Sequence, residues 1–208
     1  MLKVGLTGNF GMGKSTAGEV FRSLGAFVID TDAIVKELFE DRKVQQELIE
    51  LFGRVILRPD GTIDRPLIAR VVFSNHRLKT RLEDLLHPYV FRKIDEAIEV
   101  HSDQRLVIIE APLIFERGYE GRFDVIINIS CSEQKAIERL KSKGYTVKEV
   151  TARLDTQMPA VRKSELADFN INNEGDMTSL KDQVQKIYSI LQRMANDSDK
   201  GLYKETQD

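Results

Sequence analysis

The chain has 208 residues, of which 41% are hydrophobic and 31% charged, with 13 Gly and 5 Pro; this excludes collagen-like and compositionally disordered classes and suits one domain with insertions. With 31 Lys and Arg against 33 Asp and Glu, the formal charge is −2, so no global basic field argues for nucleic acid or anionic lipid as a partner, and any bound anion must meet local positive charge. No apolar run approaches the ~20 residues of a membrane span, and the opening MLKVGLTGN resembles neither a secretion signal nor an Arg-rich transit peptide, so a cytoplasmic protein is expected.

Residues Leu2 to Thr7 form a short apolar run, followed by the glycine-rich stretch Gly8 to Gly13 and a helical pattern from Lys14 to Leu24 with Ala17, Val20, Phe21 and Leu24 on one face. Gly25 is placed to stop that helix, and Ala26 to Ile29 reads as a second strand ending at Asp30-Thr31-Asp32. The next buried strand is Leu106 to Glu110. Roughly seventy residues intervene where a crossover needs only a dozen or more, so residues 33–104 are expected to form a helical subdomain. Its helices are predicted over Ala33 to Glu40, Val44 to Phe52, Pro66 to Phe73 and His76 to His101, where Pro88 marks either a break or a first-turn position. Only Val55-Ile56-Leu57, ahead of the turn signal Pro59-Asp60-Gly61, suggests extended structure there.

A fourth strand, Val125 to Ser130, precedes a helix from Glu133 to about Lys143. The charged stretch from Lys143 to Lys163 reads as a mobile cover more than a core helix. Phe169 to Asn172 is a candidate fifth strand, Ser179 to Met194 a closing amphipathic helix, and the tail from Asn196 is polar enough to fray. Strands alternating with helices imply an α/β, three-layer fold around a five-stranded parallel sheet. Its core is expected from residues 1–32, 105–138 and 164–195, with a lid over 139–163.

Gly8-Asn9-Phe10-Gly11-Met12-Gly13-Lys14-Ser15 matches G-x-x-x-x-G-K-[ST] at every position, after a strand and before a helix. Glycines permit dihedrals that aim successive backbone N–H groups at phosphate oxygens, and the helix N-terminus adds its positive end. Lys14 is expected on the β- and γ-phosphates, the Ser15 hydroxyl on Mg²⁺, and Thr16 on the α-phosphate. A turn that merely joins strand to helix does not require so complete a match.

The loop alone does not separate a kinase from a GTPase, a motor or a nucleotide sensor. Asp30 and Asp32 stand at the end of the second strand, beside the loop, where a carboxylate can accept the proton of an attacking hydroxyl. Spacing does not choose between them, and either could instead cap the following helix. Glu110 ends the third strand, where an acid can act on Mg²⁺ directly or through water. No guanine-reading Asn/Thr-Lys-x-Asp follows the fourth strand, where Asn128-Ile129-Ser130-Cys131 stands. With one cysteine and three histidines, zinc chemistry is not expected, and Cys131 reads as a buried small hydrophobe.

Further residues resemble the dephospho-CoA kinases. The loop GLTGNFGMGKST, Asp30-Thr31-Asp32-Ala33-Ile34, Gly61-Thr62-Ile63-Asp64-Arg65 with Leu67 and Val72-Phe73, His87-Pro88 and Ala111-Pro112-Leu113-Ile114-Phe115-Glu116 follow that family's landmarks in order. So do Arg153 with Gln157-Met158-Pro159, Lys163, Ala167-Asp168, Ile171, Asn173 and Gly175. The resemblance implies ATP-dependent phosphorylation of the ribose 3′-hydroxyl of dephospho-CoA, with ATP and dephospho-CoA as the partners of a monomer or weak oligomer and Mg²⁺ as cofactor. It assigns the base to Asp32, nucleotide binding to the loop and Asn173, and catalytic charge to Lys14 and Arg139. Lys36, Arg65 and His87 become acceptor-binding candidates, and Lys143, Arg153, Gln157 and Lys163 lid candidates. The chain departs from the usual pattern at Asn9, Phe10, Thr31 and Lys36, and at Glu110, where Asp is more frequent. The rival readings are another small-molecule P-loop kinase and a nucleotide-dependent binding module.

Overall fold

In a computed structural model, the structure describes residues 1–202, with side chains at 73–74 and 198–202 left aside. Two compact units form, one from Met1–Asp30 with Ser102–Asp208 and one from Thr31–His101.

The first unit is built on β1 (Leu2–Thr7), β2 (Phe27–Asp30), β3 (Leu106–Glu110), β4 (Val125–Ser130) and β5 (Phe169–Asn172), in the spatial order β2-β3-β1-β4-β5. All neighbours are parallel. Because β3 lies between β2 and β1, the first two strands never touch, and Leu6 pairs with Glu110 while Asp30 pairs with Glu110 from the other side. This brings the ends of β1, β2 and β3 to one sheet edge, the side on which open parallel sheets take ligands.

The two faces follow from the two-residue period of a strand. Val125, Ile127 and Ile129 of β4 join Leu2, Val4, Leu6 and Ile108 in one cluster. That cluster is covered by α1 (Lys14–Ser23) through Ala17, Val20 and Phe21 and by the final helix through Leu180, Val184, Ile187 and Leu191. Ile126 points the other way, into a smaller cluster with Ile114 and Phe115, against which Met158 and Ala167 pack. α1 ends at Gly25, φ 91°, where the Gly25 N–H donates to the Arg22 carbonyl and the Ala26 N–H to that of Phe21, a Schellman closure.

The stretch expected as a mobile cover is folded. After α6 (Glu133–Lys141), numbered past the five helices of α1 and the second unit, come α7 (Val147–Leu154) and α8 (Ala160–Leu166). Thr146 and Glu149 form a capping box at the start of α7, and Val150 is fully buried. Charge density in the sequence hid the one apolar position per turn that seats this helix. The last helix, α9 (Met177–Leu202), runs past the predicted end at Met194. Ala195 is buried and Asn196 accepts from Arg105 at 2.7 Å, which ties down the first residue of the tail expected to fray; residues 203–208 of that tail lie outside the described residues.

The second unit is helical: α2 (Thr31–Leu38), α3 (Arg42–Phe52), α4 (Arg65–Ser74) and α5 (His76–Val100). Asp41, Asp64 and Asn75 cap α3, α4 and α5 by accepting first-turn N–H groups. Val55-Ile56 is not extended; Arg54–Ile56 forms a 3₁₀ turn, and a single antiparallel bridge between Leu57 and Ile63 spans the Pro59-Asp60-Gly61 turn. Of the three apolar residues only Leu57 is extended and paired, and one bridge is too short a ladder to hold a strand. α5 continues through Pro88 without a break, the lost N–H being outweighed by burial of Leu86, Tyr89, Val90 and Ile94 on either side. α2 begins directly at Thr31, so Asp30 closes a strand while Asp32 lies in a helical first turn, where a carboxylate suits the positive helix end. The two acids are therefore not on one extended segment.

Candidate active site at the phosphate loop

The loop between β1 and α1 is shaped by what surrounds it. Gly13, the residue before α1, has φ 102° and leaves no space for a side chain, because a Cβ there would collide with the Asn173 amide. That amide, at the end of β5, donates to the Met12 carbonyl at 2.8 Å. Asn173 is in turn held by Arg139 of α6, whose guanidinium donates to its backbone carbonyl at 2.9 Å and to Oδ1 at 3.3 Å. Gly13 offers no side chain to cap α1, so the first-turn N–H groups, which have no partner within a helix, face the loop as an anion cradle.

Lys14 is 8% exposed and its ammonium lies 3.5 Å from Glu110 Oε2. Arg22, two turns further along α1, reaches Oε1 of the same carboxylate at 3.1 Å. Between them in the i, i+4, i+8 stripe stands Gly18, where a Cβ would land on the Glu110 carboxylate, 2.5 Å from Cδ. The missing side chain makes the slot that the acid fills. Glu110 is fully buried; burial pushes its pKa up, the nearby Asp30 adds to this, and Lys14 and Arg22 pull it back.

The opposite side of the loop is joined to the segment after α7. The Asn9 amide donates to the Met158 carbonyl and the Phe10 N–H to Gln157 Oε1, both at 2.9 Å. The Met158 N–H donates to Glu116 Oε1 at 3.0 Å, and the Lys163 ammonium, fully buried, pairs with the same oxygen and donates to the Pro112 carbonyl, each at 2.8 Å. Burial pushes the Lys163 pKa down and Glu116 partly restores it.

The model of the dephospho-CoA kinase family matches residues 2–179. The chain belongs to the dephospho-CoA kinase family. It is 34% identical to the dephospho-CoA kinase of Aquifex aeolicus over 194 residues, 93% of this chain and 99% of that one. Among solved structures it resembles TT1252 from Thermus thermophilus, with a TM-score of 0.81, 32% identity and coverage of 92% and 97%. The dephospho-CoA kinase from Campylobacter jejuni matches with a TM-score of 0.64, 28% identity and coverage of 94% and 98%. The family phosphorylates dephospho-CoA with ATP in the last step of coenzyme A biosynthesis, and the chain is accordingly a kinase of small molecules. Among the described residues no helix is long and apolar enough to cross a membrane.

For a dephospho-CoA kinase the residues divide as follows. Gly8, Gly11, Met12, Gly13, Lys14, Ser15 and Thr16 form the loop and the start of α1, with Ser15 exposed and Thr16 half-buried. Asn173, Arg139 and Glu110 gather around them. Asp32 and Lys36 are exposed on α2 of the second unit, where Arg65 lays its guanidinium over the Phe39 ring at 5.1 Å and His87 faces Phe91 on α5 with centroids 6.4 Å apart. Lys143 is exposed beyond α6. Lys163 does not stand among exposed lid cations; it is a buried anchor, because Glu116 and a carbonyl supply what an ammonium needs to leave water. Cys131 is only half-buried and lies 3.7 Å from the Arg139 guanidinium, which corrects the expectation of a buried hydrophobe. Sequence reasoning overlooked Arg22 and Gly18, although their spacing from Lys14 along one helix face was readable. A glycine inside a helix reads as a weakness until the group that fills its place is known.

The donor set can be tested against Mg²⁺. Among the described residues no group of three His, Cys, Asp or Glu could hold a metal, which fits an ion carried mainly by substrate phosphates and water. Ser15 offers a hard oxygen, and Glu110, already facing two cations, fits as a water-mediated contact.

Proposed function

We propose that this chain transfers the γ-phosphoryl group of ATP to the ribose 3′-hydroxyl of dephospho-CoA, with Asp32 as the base. The observation that carries the reading is the loop itself: an uncapped helix N-terminus, a buried Lys14 ammonium and a glycine conformation locked by Asn173 form a cradle for a triphosphate. Asp32 accepts the proton of the attacking hydroxyl as the bond to phosphorus forms. Lys14 holds the β- and γ-phosphates, and Glu110 keeps its ammonium aimed into the loop before ATP arrives. Arg139 has donors beyond those engaged by Asn173, and together with Lys143 and Arg153 it stabilises charge on the transferring group. Ser15, and Glu110 through water, would hold Mg²⁺, which would supply neutralisation of the phosphate charge. Lys36, Arg65 and His87 bind the acceptor, and residues 139–163 exclude water over the phosphates. A cytoplasmic location and a monomer or weak oligomer complete the reading.

Acceptor-dependent ADP release, measured with dephospho-CoA against a panel of nucleotides, shikimate and gluconate, tests it. Preference for dephospho-CoA is expected, and a faster reaction with another acceptor overturns the assignment. ATP binding with no acceptor-dependent turnover would instead identify a nucleotide-dependent binding module.

A further inference from the structure

Glu116, in the turn after β3, takes no part in the transfer proposed above, yet the grip on the phosphate loop runs back to it. Two consecutive loop residues are held by two consecutive residues of the segment between α7 and α8. The Phe10 N–H donates to the Gln157 side chain and the Asn9 amide to the Met158 carbonyl. The peptide N–H that joins Gln157 to Met158 donates to Glu116 Oε1 at 3.0 Å, so one carboxylate oxygen fixes the peptide from which both contacts extend. Asn9 is buried, and its Oδ1 finds no hydrogen-bond partner among the described residues. Its side chain is therefore held through the Met158 carbonyl.

Lys163 holds the carboxylate in turn. Its ammonium pairs with the same Oε1 at 2.8 Å and donates to the Pro112 carbonyl, to which the Thr7 hydroxyl at the end of β1 also donates, at 3.2 Å. Thr7 and Asn9, on either side of Gly8, are thus both tied to one buried ion pair. Stability alone does not require such a pair. Replacing a buried ion pair by apolar side chains of similar volume is often neutral or stabilising, and Phe115 and Met158 lie in an apolar cluster that would accept them. What the carboxylate adds is direction: an acceptor fixed at one place, aimed at a peptide N–H that would otherwise be left unpaired. We propose that Glu116 is a positioning residue for ATP binding, which fixes the Gln157–Met158 peptide and through it holds Asn9 and Phe10 in the loop shape that receives the triphosphate. This rests on the reading of the loop as the ATP triphosphate site.

The test works in a Lys163→Met background, so that no unpaired ammonium is left buried. It compares Glu116→Gln, whose amide oxygen still accepts the peptide N–H, with Glu116→Leu, which has no acceptor. Kd for ATP is measured by titration calorimetry at a temperature where both doubles are fully folded, so that stability has no bearing on it, and KM for dephospho-CoA is measured alongside. The Leu double is expected to bind ATP about tenfold more weakly than the Gln double, the worth of roughly one hydrogen bond, with KM for dephospho-CoA alike within about twofold. When Asn9→Ala and Gln157→Ala are added to both, the difference should vanish, because nothing then carries the position of the peptide to the loop. Equal ATP affinities in the two doubles, or a difference that survives the loss of the Asn9 and Gln157 side chains, overturn the proposal. Should the fourfold variants fail to fold, the two doubles decide alone: a change in Kd for ATP without one in KM for dephospho-CoA upholds it, and a matching rise in both overturns it. Lys14→Ala separates the two levels. ATP binding as tight as the parent's would refute the triphosphate reading and this proposal with it, whereas weakened binding there together with equal affinities in the two doubles refutes the positioning role only.

Discussion

Gly18→Ala is the sharpest probe of how the loop lysine is held. On a solvated helix the change would stabilise by about 1 kcal/mol, because alanine is the better helix former. Here the new Cβ falls on the Glu110 carboxylate and must drive it from the slot between Lys14 and Arg22. Breaking a buried ion pair from one side costs about 3–5 kcal/mol, and since the Arg22 side chain is 41% exposed, most of that belongs to Lys14. The net expectation is a loss of about 2 kcal/mol or more, which for a chain of this length lowers Tm by roughly 4–8 °C. Denaturant unfolding and calorimetry measure it, and KM for ATP should rise with it as the ammonium loses its guide. Adding Glu110→Asp withdraws the carboxylate by one methylene and should restore more than half of the lost stability in the Gly18→Ala background. A Gly18→Ala protein more stable than the parent, or no recovery with the shorter acid, would refute the reasoning.

Asp32→Asn should bind ATP as the parent does while kcat falls by about 10²–10⁴, the usual worth of a positioned base; near-normal turnover in an ADP-release assay excludes Asp32 from that role. Lys163→Met should remove the pairing of Glu116 and loosen Met158, with a loss of about 3 kcal/mol, read by denaturant titration. In the parent, the Lys163 pKa is held below its ordinary 10.5. The unfolded chain then binds more protons between the folded-state pKa and 10.5, so this group's penalty, full below that window, fades as pH rises through it. The Lys163→Met stability profile should lack that alkaline gain. Asn173→Ala should free the Met12 carbonyl and remove the Arg139 contact to Oδ1, while the backbone carbonyl of residue 173 still accepts from Arg139, raising KM for ATP about tenfold, at roughly 1.4 kcal/mol per decade; an unchanged KM would show that the loop holds its shape without the Asn173 amide.

Most of the strands were legible because each is a short apolar run bounded by glycine or acid, and the parallel sheet was legible from their alternation with helices; the spatial order, with β3 between β2 and β1, came only from the structure. The loop was legible because its chemistry is local: eight consecutive residues carry the turn, the amides and the lysine. Val55-Ile56-Leu57 was legible only in part: Leu57 is extended and pairs with Ile63, while Arg54–Ile56 closes into a 3₁₀ turn. The place of Lys163 was not legible because exposure and burial of charge look alike in a sequence, and only packing shows that Lys163 faces Glu116 while Lys143 faces water.

By itself, then, the sequence determined the sheet, the phosphate loop, the helical second unit and the family to which the chain belongs. Tertiary structure alone decided that Glu110 turns toward helix α1 between two cations, that Gly18 exists to admit it, that Asn173 and Arg139 brace the loop from β5, and that Glu116 pins the peptide from which Gln157 and Met158 grip that loop. The difference is physical. Backbone conformation and burial of apolar runs are set by neighbours within a few residues, whereas the partner of a charge is chosen from every side chain that folding brings within a few ångströms.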